Sequence, residues 1–259
     1  MREKTLILSF AILLLAGPVL RAAEPGLGQL RKGDCAAPEP GVDLRHCDFT
    51  GRKMDGIDLA GARLDGVSFR NARLIGCRLQ NASLTGADLK WANLADCDLS
   101  HADFDAADLF HTTFDGSRMN QARFRRANLF GANLNEVEAA GSDFRHAYMK
   151  DVALEESRLD RADFSHAFMQ RAVLIDSSLR GANFHEAVLT GAALEQADLT
   201  EADLRKALIN GARLDNARLD RANLESARLT HAVLEGASLT GVRNLPQELR
   251  SQSEVQSRQ

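Results

Sequence analysis

The chain has no basic excess, no membrane-length apolar run and no signature of a catalytic loop. Its 32 Lys and Arg stand against 36 Asp and Glu, a formal net charge of −4. Residues 1–22 hold three basic residues and one acidic, so the rest of the chain carries −6. A dedicated nucleic-acid binder leaves a basic footprint, and this balance argues against one. The longest apolar run, Leu6 to Ala16, is shorter than the roughly 20 residues that span a bilayer. No nucleophile elbow, phosphate-cradling glycine loop or paired Cys-x-x-Cys occurs. Cysteine is scarce too, at four in 259 residues.

What the chain has in quantity is a period. From Leu44 to Leu239 every fifth residue is Leu, Phe or Met, 40 positions in phase, with only Ile209 and Ala139 outside those types. Two positions earlier stands a small residue, usually Ala, and between them often Asp, Asn or Arg, as in Ala82-Ser-Leu-Thr-Gly-Ala-Asp-Leu. A fixed short period is read before any other feature. Five matches neither the 3.6 of a helix nor the 2 of a strand. It asks for a chain that turns once per repeat and sends two side chains inward, one large and one small. An exposed ladder of 40 large apolar residues would aggregate, so the large residue is buried. Gly recurs two positions after it (Gly51, Gly56, Gly61, Gly66), where a corner needs backbone angles that Gly reaches without strain. At Ala139 the large residue is missing, but Val137 replaces its small partner and core volume is nearly kept.

The pattern A-(D/N)-L-x-x over residues 42–242 resembles the pentapeptide-repeat family. That resemblance implies an all-β fold, a right-handed quadrilateral β-helix of four repeats and 20 residues per coil, and so about ten coils. Each coil bonds only to its neighbours, so stability is roughly a sum of coil and interface terms. Outside the repeats, residues 1–22 read as a secretory signal peptide, with basic Arg2 and Lys4, the apolar run, and cleavage after Ala22. Residues 23–41 are an irregular Pro- and Gly-containing lead-in. Residues 243–259 hold a C-terminal cap around Leu245 and a polar tail. The reading is therefore of a periplasmic or secreted protein.

Cys47, Cys77 and Cys97 occupy the small inward position and read as core filler in place of Ala. Cys77 and Cys97 stack in adjacent coils, yet parallel side-chain directions make a poor bridge torsion. Cys35 lies twelve residues before Cys47 in the lead-in; in an oxidising compartment a Cys35–Cys47 bridge would staple that segment to the first coil. The seven histidines, His46, His101, His111, His146, His166, His185 and His231, all fall at outward positions. His146 and His166 stack, with His185 one position short of the next step, but solvated histidines on a wall are the plainer reading and no metal or other cofactor is expected. Carboxylates on convex walls without a cleft offer nowhere to exclude water, so no catalytic residues are assigned and an enzyme is not expected.

The 20-residue column sorts the walls. On the wall with core residues 49, 69 and 89, the residue before the core position runs Asp48, Ser68, Asp88, Asp108, Asn128, Tyr148, Phe168, Val188, Leu208, Arg228. Phe110 and Phe130 follow core residues on the same wall and Trp91 sits at its corner, so every aromatic outside the core and residues 1–22 lies here. Such a stripe marks an interaction site. Trp91, Phe110, Phe130, Tyr148, Phe168, Val188 and Leu208 are the expected contacts for a protein partner or a second copy. A second wall, with Asp55, Asp115, Glu136 and Glu155 among ten carboxylates, is acidic. A third alternates Asp58, Arg78, Asp98, Arg118, Glu138, Arg158 and reads as a ladder of ion pairs. The fourth has a clump of Arg123, Arg125, Arg126 and Arg145.

Function is expected to be that of a non-catalytic, exported interaction or scaffold protein acting through the aromatic wall. Family members that mimic duplex DNA and act on type II topoisomerases supply an alternative through the resemblance, if residues 1–22 do not export the chain. A periplasmic immunity protein is a further alternative. No nucleic-acid partner is expected, nor membrane insertion after cleavage.

Overall fold

The computed structural model describes residues 30–245. The expected signal peptide and nearly all of the C-terminal tail lie outside the described residues. Within them the backbone pairs in parallel at steps of 20: Asp43 with Arg63, Asp48 with Ser68, Lys53 with Arg73, Asp58 with Arg78, and so on to Asn223 with Arg243. Each side of a coil contributes a single bridge residue, so the sheet on each of the four walls is a stack of one-residue bridges.

The backbone accounting explains the five-residue unit. Buried or not, each N–H wants an acceptor. The large core residue donates to the next coil (Leu89 N to Asp108 O, 2.8 Å), the bridge residue to the previous one (Asp88 N to Val67 O, 3.0 Å), and the corner residue to the next (Gly86 N to Asp105 O, 2.9 Å). The small residue closes the turn on the preceding core carbonyl (Ala92 N to Leu89 O, 2.9 Å). Four of five donors are thus satisfied. The fifth belongs to the shoulder residue after the core position, and here the Asp or Asn of the repeat acts: Thr50 N donates to Asp48, Ala95 N to Asn93 and Ser165 N to Asp163, at 2.8–3.0 Å. The sequence suggested only that this position suits solvent; it also caps its own turn, as Asx side chains do.

The core is continuous. Large residues from Leu44 to Leu224 are 0–1 % exposed except Met54. Phe104, Phe124, Phe144, Phe164 and Phe184 form one internal stack with centroids 4.9–5.0 Å apart. The ladder passes Ala139 without a bulge, with Ala139 N to Arg158 O and Arg158 N to Val137 O both 2.8 Å. Where Ser or Thr takes the small position its buried hydroxyl donates to a core carbonyl, as in Thr112 to Leu89 (2.8 Å) and Ser117 to Leu94 (2.7 Å), which removes the cost of burying it.

Every corner from Gly41 to Gly241 except His46 has a left-handed backbone, and 25 of these corners are not Gly. At the lower end, Lys32 pairs with Asp43, and Gly33 packs so closely on Val42 and Leu44 that a Cβ there would fall 2.6 Å from both. The lead-in therefore closes the open end of the core, as terminal repeats must.

Candidate functional site

On the wall of Phe49, Phe69 and Leu89 the seven residues singled out from sequence come together. Trp91 meets Phe110 edge to face at 5.3 Å. Phe110 stacks on Phe130 (5.4 Å), Phe130 on Tyr148 (6.0 Å) and Tyr148 on Phe168 (5.3 Å). Val188 and Leu208 pair along the same column. The stacked planes lie within 13° of parallel, so ring faces cover one another and edges point to solvent. This makes the stripe less open than the sequence suggested: Trp91 and Tyr148 are 49 % and 42 % exposed, while Phe168, Phe130, Phe110, Val188 and Leu208 are half-buried. A surface of ring edges suits an apolar protein groove better than a flat ligand that needs a free ring face.

The link from Phe130 to Tyr148 crosses an 18-residue diagonal, shoulder to bridge position, which a 20-residue column does not reveal. The same diagonal carries Arg70 to Asp88 (2.8 Å) and Gln80 to Asp98 (2.7 Å).

Charge rims the stripe. Burial pulls the Asp88 carboxyl up, but bonds from Arg70 and Lys90 outweigh it and hold it below the usual range. Lys90 also bonds Asp108, which raises its ammonium pKa. Arg70 lies over the Trp91 ring at 6.0 Å. Beyond the rings, Arg171 grips Asp151 through two 2.6 Å bonds and depresses that carboxyl. Between these rims the wall loses its turn caps. Tyr148, Phe168, Val188 and Leu208 lack the short carboxyl or amide that accepts from its own turn, and among the described residues the N–H groups of Lys150, Gln170, Thr190 and Asn210 meet no protein partner.

The other surfaces differ in part from expectation. The alternating wall is not a complete ladder. Arg118 reaches Asp98 at 3.0 Å and Arg78 lies 3.8 Å from Asp58, but Glu138 forms no ion pair with Arg118 or Arg158. The guanidiniums there are about 60 % exposed and turn to water, as long side chains on open walls do. The arginine clump is largely neutralised, with Arg123 on Asp103, Arg125 on Asp105 and Arg145 on Asp143. On the acidic wall Asp55 and Glu195 take up Arg73 and Arg213.

Both cysteine pairs are joined. Cys35 and Cys47 stand at Cα–Cα 5.5 Å. Cys77 and Cys97, read from sequence as core filler, are also bridged, because small residues of adjacent coils in one column bring their Cα atoms to 4.6 Å. His146 and His166 stack at 4.7 Å, and His166 and His185 both approach Glu186, at 3.3 and 3.4 Å. Lys206 already occupies that carboxylate at 2.8 Å, so a charge partner is in place without a metal.

Family profiles match most of the repeat span. One described as a pentapeptide repeat region covers residues 87–164. One described as pentapeptide repeats (8 copies) covers 43–81, 53–90, 157–196, 169–205 and 207–243. Among solved structures the chain is similar to HetL, a pentapeptide repeat protein involved in heterocyst differentiation regulation from the cyanobacterium Nostoc sp. strain PCC 7120: 28% identity, TM-score 0.67, 75% of this chain and 89% of that one. It is also similar in fold to a trypsin-treated form of QnrB1, a plasmid-mediated fluoroquinolone resistance protein: 19% identity, TM-score 0.55, 80% of this chain and 97% of that one. No curated protein matches. The four-sided parallel stack is a right-handed quadrilateral β-helix, as in these neighbours.

Proposed function

This chain belongs to the pentapeptide-repeat family, and from that premise we propose that it is a non-catalytic interaction protein that docks a protein partner on the Trp91–Leu208 wall. The observation that carries this reading is the run of four bridge positions, Tyr148, Phe168, Val188 and Leu208, where the repeat gives up the side chain that caps its turn. A stability-driven sequence has a reason to keep Asp or Asn there, and apolar residues in four successive coils need another reason. Aromatic residues bounded by ion pairs are what binding anchors look like. The proposal includes export by residues 1–22, which places the partner in the periplasm or outside the cell.

Phe168→Asp tests it. The variant is expected to fold and to lose a partner captured from the extracytoplasmic fraction by the wild type. A variant that unfolds would make Phe168 core, and one that folds and retains every partner would leave the wall without this role. Fractionation of the full chain tests export. Recovery from the cytoplasm with residues 1–22 attached would favour the second reading, a modulator of type II topoisomerase. That reading draws on the acidic wall of Asp55, Asp115, Glu136 and Glu155.

A further inference from the structure

The lead-in staple contains a third side chain that a disulfide does not use. Cys35 and Cys47 are bridged, and His46, the exposed residue preceding Cys47 in the chain, places Nε2 3.8 Å from the Cys47 sulfur. The two sulfurs and a ring nitrogen lie within 4.8 Å of one another, the one such group of three His, Cys, Asp or Glu residues among those described. His46 is also the single corner without a left-handed backbone. Its ring therefore leaves the corner along a different path from the other 40 corners and ends beside the two sulfurs.

We infer that the reduced form of this staple is a zinc site, with Cys35 and Cys47 as thiolate ligands, His46 Nε2 as the third and water as the fourth. Disulfide and metal would be alternative clamps on the same segment. The ligand set suits a soft-to-borderline divalent ion, and three protein ligands plus water is a recognised tetrahedral arrangement for zinc. With Zn–S of about 2.3 Å and Zn–N of about 2.0–2.1 Å, tetrahedral edges are about 3.5 Å for S···N and about 3.8 Å for S···S. The S···N contact already has nearly that length. The sulfurs must separate, and the movement falls to Cys35, which is half-buried in the lead-in while Cys47 is fixed in the core column. The backbone anchor nearby does not compete, since Arg52 donates to the Cys35 carbonyl oxygen at 2.5 Å and not to the sulfur.

The chemistry balances simply. The S–S bond accepts two electrons and two protons from a dithiol, which is oxidised to its own disulfide. Zinc then displaces both thiol protons and binds the thiolates. Either clamp holds Lys32 against Asp43 and Gly33 over Val42 and Leu44, so the lower end of the core stays closed in oxidising and reducing surroundings alike.

The test uses the full chain carrying Cys77→Ala and Cys97→Ala, so that no other thiols remain, and zinc itself as probe in competition with a chromophoric chelator. Reduced with a phosphine, this protein is expected to bind one zinc and to release about two protons per metal near neutral pH, while the oxidised form binds none at this site. His46→Ala keeps the exposed corner and should weaken binding at least about tenfold, since even residues behind the ligands cost that much. Cys35→Ser should abolish it. Zinc affinity in the reduced protein no greater than in a Cys35→Ser, Cys47→Ser chain would overturn the inference, as would an unchanged affinity in His46→Ala.

Discussion

One wall of this rod is built in two ways on one backbone. In its lower coils the bridge positions are Asp48, Ser68, Asp88, Asp108 and Asn128; all but Asp108, which Lys90 and Asn128 engage instead, accept from their own shoulder N–H groups, those of Thr50, Arg70, Lys90 and Phe130. In its upper coils they are Tyr148, Phe168, Val188 and Leu208, which cap nothing. The core residues behind are equally buried in both regions, and the coil-to-coil bonds are equally short. The inward positions therefore decide whether the coil forms, while the bridge position is free to serve the turn or the outside. A cap hydrogen bond contributes only about 0.5–1.5 kcal/mol, small beside the interior, so a handful can be surrendered without loss of the fold.

The sharpest contrast is expected between a ring of the interior stack and a ring of the outer stripe. Phe144→Ala removes the middle of the internal Phe stack, where no side chain can collapse into the gap, and should cost about 3–5 kcal/mol. Chemical denaturation followed by circular dichroism would read this as a large fall in midpoint. Loss of under about 1 kcal/mol would mean that the column repacks and that the interior is not the determinant.

Outside, the second contrast is in binding. Phe168→Asp should weaken partner binding by about 2 kcal/mol or more, as truncation of a central aromatic anchor does, with stability changed by less than about 1 kcal/mol because a restored cap offsets lost ring stacking. Leu208→Asn asks the same at the stripe's end, where Asn should cap the N–H of Asn210 and leave stability level. A severe destabilisation of Leu208→Asn would show that the upper wall also supports the fold.

Acid should separate the two regions a third way. Asp48 and Asp88 in the lower coils are depressed, Asp48 first by its bond from Thr50, and Asp88 against the upward pull of burial by bonds from Arg70 and Lys90, whereas Phe168, Val188 and Leu208 carry no acid. A depressed carboxyl contributes stability that is complete above the unfolded pKa of about 3.9 and drains as pH falls below that toward the lower folded value. Amide exchange below pH 4 should therefore speed up first at Thr50 and Lys90, ahead of Leu154 and Leu174. Uniform loosening would remove electrostatics from the difference.

How much of this was legible depended on which relation in the structure is periodic. Leu89 or Phe144 could be placed inward from the period alone, because the period is the burial pattern. Gathering Tyr148 with Phe168 needed only the 20-residue coil. The contact of Phe130 with Tyr148 needed the 18-residue diagonal, which depends on how far shoulder side chains lean along the wall. The cap made by Asp48 or Asn93 was hidden because a side chain that bonds its own turn looks, in sequence, like any solvated polar residue. The Cys77–Cys97 bridge was hidden for a related reason: Cys in the small column packs like Ala until its neighbour is also Cys. Ion pairs such as Arg118 with Glu138 failed to form because opposite charges in register do not hold long, hydrated side chains together.

The smallest predicted effect lies at the corners, and it too divides the molecule. Lower coils turn mostly on Gly, as at Gly51, Gly56, Gly61 and Gly66, while the coils of the stripe turn on residues such as Asp151, Glu156 and Arg171, with φ of 54–58°. A side chain in the left-handed region costs roughly 1–2 kcal/mol, whereas Gly there costs roughly 0.5–1 kcal/mol in unfolded-chain entropy. The balance favours Gly by up to about 1.5 kcal/mol. Glu156→Gly, at a corner whose carboxylate forms no ion pair among the described residues, should therefore stabilise the upper rod slightly. Gly56→Ala, where an added Cβ meets nothing within 4 Å, should destabilise the lower rod by a similar amount through backbone strain alone. Paired thermal melts of the two variants would check the signs. If Glu156→Gly instead lowered the midpoint, the outward side chains at the corners would be contributing to coil stacking by their own contacts, and the upper coils would be held together partly from outside.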